Sequence, residues 1–282
     1  MEIKIYPLKT VVSTNYFGMP LLYLRNWPVT LNDILNLALG MPLQTGILCG
    51  INKMIILFTV ILGLIVGSFL NVLILRLGTG RSIASGRSQC LSCNHKLAWH
   101  DLVPVFSFAL SKGRCRYCGS RISFQYPIVE LFTAILFGLL TAQQFAITYY
   151  LIASILIAIL VYDLRHKIIP DQLVYIFIIL SGLAGRHWLY GLYAFAFFAL
   201  LWFVSRGKWM GFGDAKLALG MGFLLGISVV SALFVAFWAG AIVGICLLLL
   251  SSKKVTLKSE IPFAPFLIFG TFMSLFLNLN LF

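Results

Sequence analysis

Eight apolar segments constrain this chain more than any other feature of its sequence. Several are close to the length of about 20 residues that an α-helix needs to cross a bilayer. None alternates apolar and polar residues as a strand does, and a backbone in lipid must satisfy its hydrogen bonds internally. The sequence therefore predicts an all-α polytopic membrane protein with about eight transmembrane helices. The segments lie at about 54–77, 126–146, 148–163, 171–185, 187–204, 216–227, 229–250 and 262–281.

The composition supports a membrane protein and argues against a soluble one. Hydrophobic residues make up 61% of the 282 residues and charged residues only 10%. Soluble domains carry about 25% charged residues. The apolar surface is therefore expected to face a lipid bilayer. No internal repeat is recognised in the sequence.

The basic residues alternate between the two sides of the predicted membrane. The formal net charge is +13, which in a soluble protein would suggest nucleic acid. Here the cations gather in every second loop, as the positive-inside rule predicts for cytoplasmic loops, so nucleic acid is not expected as a partner. On the opposite side only Arg186 appears. The basic loops contain Arg81, Arg87, Lys96, Lys112, Arg114, Arg116 and Arg121, then Arg165 and Lys167, then Arg206, Lys208 and Lys216, then Lys253, Lys254 and Lys258.

Two CxxC pairs lie in the first of these loops, residues 78–125. Their separation matches a site in which four thiolates surround one zinc ion. Zinc would fold a polar loop that is too small to have its own core. The alternative is two reduced or redox-active pairs. His95 and His100 lie nearby, but four thiolates already complete a tetrahedron. The expected ligands are Cys90, Cys93, Cys115 and Cys118.

Three of the eight acidic residues lie at the predicted cytoplasmic ends of spans. They are Asp163, Asp171 and Asp214. A carboxylate close to lipid is costly, which favours a functional role. For Asp171, which follows a proline at a predicted helix start, capping of free N–H groups is the favoured explanation.

Asp163 and Asp214 could instead form a catalytic pair. Two carboxyl groups brought close together share one proton, because both cannot ionise cheaply. One then activates water while the other protonates the scissile carbonyl, which is the chemistry of an aspartic protease. Asp214 follows Gly211 and Gly213, and these glycines permit a tight turn and close approach of a substrate backbone. A helix N-cap is the alternative role for Asp214.

Several motifs resemble the prepilin peptidases, also called type IV leader peptidases. The resemblance covers about residues 60–220 in order. The matching segments are Val66–Val72 with its GSFLN core, the CxxCxH run from Cys90, Trp99–Asp101, Pro104, Gly113–Arg116, Ile122–Ser123, Tyr126–Glu130, the D…PD stretch from Asp163 to Asp171, and the GxGD segment from Gly211 to Lys216.

This resemblance implies a bifunctional enzyme of the bacterial inner membrane. The family cleaves after the glycine of a short basic leader on prepilins and pseudopilins. It then methylates the new N-terminal residue with S-adenosylmethionine. Carried over by motif, the catalytic acids are Asp163 and Asp214, with Asp171 outside the pair. The four cysteines match the family's zinc-binding loop, and methyl transfer falls loosely within 66–130.

The resemblance and the spans together suggest three parts of the chain. Residues 54–147 would form the first helices with the zinc loop and be associated with methyl transfer. Residues 148–282 would form the aspartic peptidase core in the membrane. Residues 1–53 are expected to be a dispensable extension, with Met54 as an alternative start; the competing expectation is an interfacial helix at about Leu31–Leu48.

Two other functional classes compete with the enzyme. A non-catalytic assembly factor could carry the zinc loop in the membrane, but it would not need both Asp163 and Asp214 at one membrane face. A transporter would relay protons through intramembrane acids. Its acids would lie near the midplane rather than at helix ends.

Overall fold

The computed structural model describes residues 45–79, 86–185, 187–208, 210–250 and 262–277, with backbone only for 45–51, 248 and 250. Residues Met1–Ile51 and Asn52–Phe282 form two separate units. The predicted extension up to residue 44 lies outside the described residues. So does most of the stretch at Leu31–Leu48 that was weighed as an interfacial helix.

Every regular element in these ranges is a helix, which confirms the all-α prediction. Two isolated β-bridges occur in the cysteine loop, between Gln89 and Lys96 and between Arg114 and Arg121. Short 3-10 helices cover Trp99–Leu102 and Gly226–Ser228. The α-helices are α1 (Thr45–Arg76), α2 (Phe106–Leu110), α3 (Gln125–Ala142), α4 (Ile147–His166), α5 (Asp171–Gly185), α6 (Trp188–Ser205), α7 (Phe212–Leu225), α8 (Val229–Leu250) and α9 (Ala264–Leu277).

Within the described ranges, five stretches are long and apolar enough to cross a membrane. They make the chain a multi-pass membrane protein. α5 and α9 are apolar but shorter, at 15 and 14 residues. The count of eight spans is not confirmed and stays a prediction, because α7 and α8 fall within one apolar stretch. The five stretches are Asn52–Arg76, Gln125–Ala142, Ile147–His166, Trp188–Ser205 and Phe212–Leu247.

Three helix boundaries differ from the predicted spans. α1 begins at Thr45, before Met54, where the first span was expected to start. α4 continues past Asp163 to His166, and α7 begins at Phe212, ahead of the predicted residue 216. Polar residues can continue a helix whose backbone hydrogen bonds are already formed, so hydropathy places such ends poorly. Both Asp163 and Asp214 therefore lie inside helices.

α1 and α3 approach each other closely along a stripe of small residues. A Cβ atom on Gly63 would lie 2.7 Å from the Cα atom of Ala134, and one on Gly67 would lie 2.7 Å from the Cα atom of Glu130. This spacing is the small-xxx-small pattern by which membrane helices bring their backbones together. One turn further, Asn71 donates to the carbonyl oxygens of Gly67 and Tyr126, both at 3.2 Å.

The apolar core draws buried side chains from α1 and from α3 to α9. α7 packs against both α5 and α6, and α8 packs against α9. Large side chains at the centre are fully buried, including Phe177 of α5 and Phe198 of α6. The ring of Phe177 lies over Gly220 of α7, where a Cβ atom would collide with it. α5 packs against both α4 and α7 and so holds these two helices in one bundle.

Candidate active site and metal centre

Asp163 is buried in the last turn of α4, with 4% of its surface exposed. The helix ends at Lys167, which adopts a left-handed conformation with φ 54°. The Lys167 N–H donates to the Asp163 carbonyl oxygen at 2.7 Å. This left-handed cap ends the helix just after the carboxylate and turns the chain towards α5.

Asp214 lies in the first turn of α7 and is 7% exposed. The Asp214 N–H donates to the carbonyl oxygen of Gly211 at 3.2 Å. Gly211 adopts φ −75°, which any residue can adopt, so the turn there does not depend on a glycine. Gly213 permits close packing, since a Cβ atom added there would lie 3.0 Å from the Cβ atom of Ile169.

The two buried carboxyl groups lie close enough for Asp163 to act electrostatically on Asp214. Asp163 Oδ2 and Asp214 Oδ1 have no hydrogen-bond partner among the residues that the structure describes. Buried polar atoms are nearly always paired, so unpaired ones call for an explanation such as catalysis. Two neighbouring carboxylates repel each other, so the arrangement suits a pair in which one acid is protonated and the other is ionised.

Asp171 has a different environment. Its side chain is 58% exposed and accepts a hydrogen bond at 2.7 Å from Lys216 Nζ. The Lys216 ammonium also lies over the rings of Tyr175 and Phe212, at 5.2 and 5.5 Å from their centroids. Lys216 therefore joins the start of α7 to the start of α5. The sequence placed Lys216 among the loop charges and at the end of the GxGD segment, but it did not indicate Asp171 as its partner.

The four cysteines converge on one point, as their spacing predicts. Their sulfur atoms all lie within 4.8 Å of one another, and Cys90 Sγ lies 3.9 Å from Cys118 Sγ. Sulfurs about 2.3 Å from a zinc ion form a tetrahedron with edges of roughly 3.8 Å. The donor set and its spacing therefore fit a tetrahedral metal ion.

The two CxxC segments are structural repeats of each other, which the sequence alone did not reveal. In the first, the Cys90 N–H donates to the His95 carbonyl and the Asn94 N–H donates to the Cys90 carbonyl. The second has the same two bonds, from Cys115 to Ser120 and from Gly119 to Cys115. Asn94 and Gly119 occupy equivalent positions with positive φ, 56° and 72°. Each segment is a tight turn that presents two sulfurs in one direction.

The backbone of these turns favours thiolates. The N–H groups of Cys93 and Ser92 lower the pKa of Cys90 to about 6. The Ser120 side chain lowers the pKa of Cys118. Although the His95 N–H acts to lower it, desolvation and the neighbouring sulfurs raise the pKa of Cys93 to about 11. Sulfurs this close ionise together only when a cation offsets their mutual repulsion, which agrees with a metal centre.

Asp101 ties the second turn to the 3-10 helix of the loop. It accepts a hydrogen bond from the Tyr117 hydroxyl at 3.2 Å, and its Oδ1 lies 3.4 Å from Arg116 Nε. The His95 ring stacks on Tyr117 with centroids 3.7 Å apart. His95 thus lies outside the sulfur cluster, in agreement with the sequence interpretation.

Glu130 is a buried acid that sequence reasoning left without a role. It lies in α3 with 6% of its surface exposed. Its Oε2 atom accepts a hydrogen bond at 2.7 Å from the backbone N–H of Val105 in the cysteine loop. The available signal was an isolated carboxylate within an apolar span, which is costly unless it is paired.

Known protein families match this chain in two blocks. Residues 61–144 match the Bacterial Peptidase A24 N-terminal domain, and residues 150–249 match the Type IV leader peptidase family. The prepilin leader peptidase/N-methyltransferase of Bacillus subtilis is 34% identical over 229 residues, which cover 76% of this chain and 91% of that relative. The chain belongs to the type IV leader peptidase family.

Relatives in other bacteria carry the same name. The Myxococcus xanthus protein is 37% identical over 216 residues, which cover 70% of this chain and 64% of that relative. The Pseudomonas aeruginosa protein is 28% identical over 265 residues, with 78% and 89% coverage. No solved structure matches this family member.

Proposed function

We propose that this chain is a membrane aspartic endopeptidase that removes the leader peptide of prepilins and pseudopilins at the cytoplasmic face of the bacterial inner membrane. One observation carries the proposal. The end of α4 and the start of α7 hold two buried carboxyl groups, Asp163 and Asp214, within electrostatic range, each with an unpaired oxygen. Membership of the family and the names of the relatives support the substrate class.

The two carboxyl groups would divide the acid and base roles of hydrolysis. One is ionised and takes a proton from a water molecule as its oxygen attacks the scissile carbonyl carbon. The other is protonated and gives its proton to the carbonyl oxygen. When the C–N bond breaks, the first acid gives its proton to the leaving nitrogen, and a hydroxyl group of the tetrahedral intermediate returns a proton to the second acid, so the pair again holds one proton.

We further propose that the enzyme methylates the new N-terminal residue. The names of the relatives support this second activity. S-adenosylmethionine would supply the methyl group. The proposal assigns methyl transfer to the helices and cysteine loop of residues 54–147 and peptide cleavage to residues 148–282.

We assign the cysteine cluster to structural zinc. The sulfur spacing and the donor set support this metal. Four thiolates saturate a tetrahedral ion and leave no open position for a substrate. The ion would therefore hold the two turns of the loop together and take no part in cleavage.

The decisive experiment compares Asp163→Asn and Asp214→Asn with the wild-type enzyme on one purified prepilin. An amide can neither act as the base nor share the proton, so each variant should lose cleavage by roughly 10²–10⁴-fold. Asp171→Asn is the matched control, since Asp171 lies near the same helix ends but is exposed and paired with Lys216. Cleavage by Asp214→Asn at near the wild-type rate would contradict the assignment and leave the assembly-factor alternative.

Methyl transfer is tested separately by mass spectrometry of the product. The mature N-terminus should gain about 14 mass units when S-adenosylmethionine is supplied, because one methyl group replaces one hydrogen. Asp214→Asn should still methylate a mature pilin that is supplied already cleaved. Unmodified N-termini with the donor in excess would reduce the chain to a peptidase.

A further inference from the structure

The cysteine loop exposes an unusually apolar face. Its side chains come from the 3-10 helix, the segment after it, α2 and the residue before α3, and they are between 37% and 79% exposed. Exposed large apolar side chains gathered in one short loop are typical of an interaction site. We define this membrane-docking face by its residues: Trp99, Leu102, Val103, Phe106, Leu110 and Phe124.

A hydrogen bond fixes the depth of this face relative to α3. The Val105 N–H donates to Glu130 Oε2 at 2.7 Å, and Glu130 lies in the second turn of α3, roughly 7 Å along the axis from its first residue. α3 has only 18 residues, about 27 Å of helix, so nearly all of it is needed to cross a hydrocarbon core of about 30 Å. Val105 therefore lies beside the part of α3 that enters the bilayer.

The backbone at Val105 is strained to make this contact. Val105 adopts φ 61° and ψ −48°, a conformation that is rare for a β-branched residue and persists only when its surroundings impose it. The bond to the buried Glu130 carboxylate is such a constraint. It holds the start of α2 against α3, so Phe106 and Leu110, one turn apart on α2, are held at the membrane boundary.

A basic cavity of about 420 Å³ lies beside Phe124 of this face. It lies between α2 and the start of α3, where the rings of Phe108 and Phe124 pack 5.3 Å apart. Three cations line it, Lys112, Arg114 and Arg121, and none of its lining residues is acidic. Apolar side chains beside a cluster of cations are the pattern of surfaces that bind anionic membranes.

We propose that the membrane-docking face inserts into the interface of the bilayer and that the adjoining cations bind the phosphates of anionic phospholipids. The occupant is the lipid surface itself. Phe124 of the face directly precedes the membrane-spanning helix α3, and the positive charge of the adjoining cations complements acidic headgroups. A basic leader peptide would be repelled by the same cations. The proposal does not depend on the catalytic roles of Asp163 and Asp214.

Fluorescence quenching of Trp99 tests the insertion. The full chain is placed in nanodiscs of phosphatidylcholine and phosphatidylglycerol whose acyl chains carry bromine either near the headgroup or near the chain end. Subtracting the signal of Trp99→Phe isolates Trp99 from the other tryptophans. Quenching should be strong with the shallow bromine and weak with the deep one. Accessibility to aqueous iodide with no quenching by either lipid would overturn the proposal.

Two paired variants locate the surface. Phe106→Glu with Leu110→Glu should abolish shallow quenching of Trp99, whereas Leu91→Glu, an equally exposed leucine in the first cysteine turn, should leave it unchanged. Equal effects of both changes would contradict the assigned face. The measurement on the unaltered face remains decisive if the double variant does not fold.

Lipid composition tests the cations. In nanodiscs of phosphatidylcholine alone, Trp99 should be quenched less than in those with phosphatidylglycerol, and Lys112→Gln with Arg121→Gln should remove that difference. A face that becomes protected only when prepilin is added would show that the substrate, and not lipid, covers it.

Discussion

The cysteine loop and the helical core are ordered by different interactions. Among the described residues 86–124, Cys115 alone is buried, and backbone turns and converging sulfurs hold the loop together. In the core, large apolar side chains such as Phe177 and Phe198 are fully buried and helices meet at glycines. Loss of the metal should therefore unfold the loop and leave the helices folded, whereas a packing defect should destabilise the helices and leave the loop folded.

Loss of the metal should give the largest effect, and it should be confined to the loop. Structural zinc contributes about 10–16 kcal/mol of apparent binding free energy in zinc-finger peptides, whereas the loop has little buried apolar surface to replace it. Cys115→Ser should lower the metal content from about one zinc per chain and increase amide hydrogen exchange over residues 86–124. Thermal unfolding of the helices should change little.

The matched control for the metal is Cys246→Ser. Cys246 lies in α8 and is exposed, outside the sulfur cluster, so this change should leave zinc content and hydrogen exchange as they are. If Cys115→Ser lowered the thermal unfolding midpoint of the helices as well as disrupting the loop, the two regions would not be stabilised separately.

A glycine in the core provides the reverse test. A Cβ atom on Gly222 of α7 would collide with the backbone of Gly191 in α6, and a backbone cannot move aside as a side chain can. Gly222→Ala should therefore destabilise the core by about 1–3 kcal/mol or more and reduce cleavage while zinc content is retained. Gly244→Ala in α8, where no atom lies within 4 Å of the added Cβ, is the control. A thermal unfolding series in detergent compares the two, and similar midpoints would rule out the packing explanation.

The ion pair between Asp171 and Lys216 should give a smaller effect. Exposed pairs contribute about 0.2–1 kcal/mol, and the aromatic contacts of Lys216 add to the role of its ammonium group. Lys216→Met should slow cleavage modestly by loosening the first turn of α7. The exchanged pair, Asp171→Lys with Lys216→Asp, should cleave faster than either of its single variants. A double-mutant cycle of the three cleavage rates measures this recovery. No recovery would indicate that Lys216 acts through its packing alone.

Removal of residues 1–53 should have the smallest effect. The segment of α1 that packs on α3 through Gly63 and Gly67 is retained, as is the apolar stretch from Met54 to Arg76. A chain of residues 54–282 should cleave prepilin at close to the full-length rate. Because α1 begins at Thr45, a chain of 45–282 serves as the comparison. Loss of activity in the shorter chain alone would show that the first turns of α1 belong to the fold.

Local patterns in the sequence were sufficient to predict which segments are helical, but not where each helix ends. Apolar runs predicted the helices, because helices are the only economical way for a single segment to cross lipid. Hydropathy misjudged their ends, since the polar residues at His166 and Asp214 continue helices whose backbone bonds are already in place. The conformational freedom of glycine suggested a turn before Asp214, but it did not reveal that Gly213 packs against Ile169.

The sequence by itself determined an all-helical membrane protein, a set of four thiols spaced as metal ligands and a short set of candidate acids. These features depend on composition and on short spacings, which the chain carries locally. Only the tertiary structure decided that Asp163 lies within electrostatic range of Asp214, that Asp171 pairs with Lys216, and that Glu130 holds the loop at Val105. Each of these contacts joins residues from separate elements, and their distances depend on how whole helices pack, which no local pattern encodes.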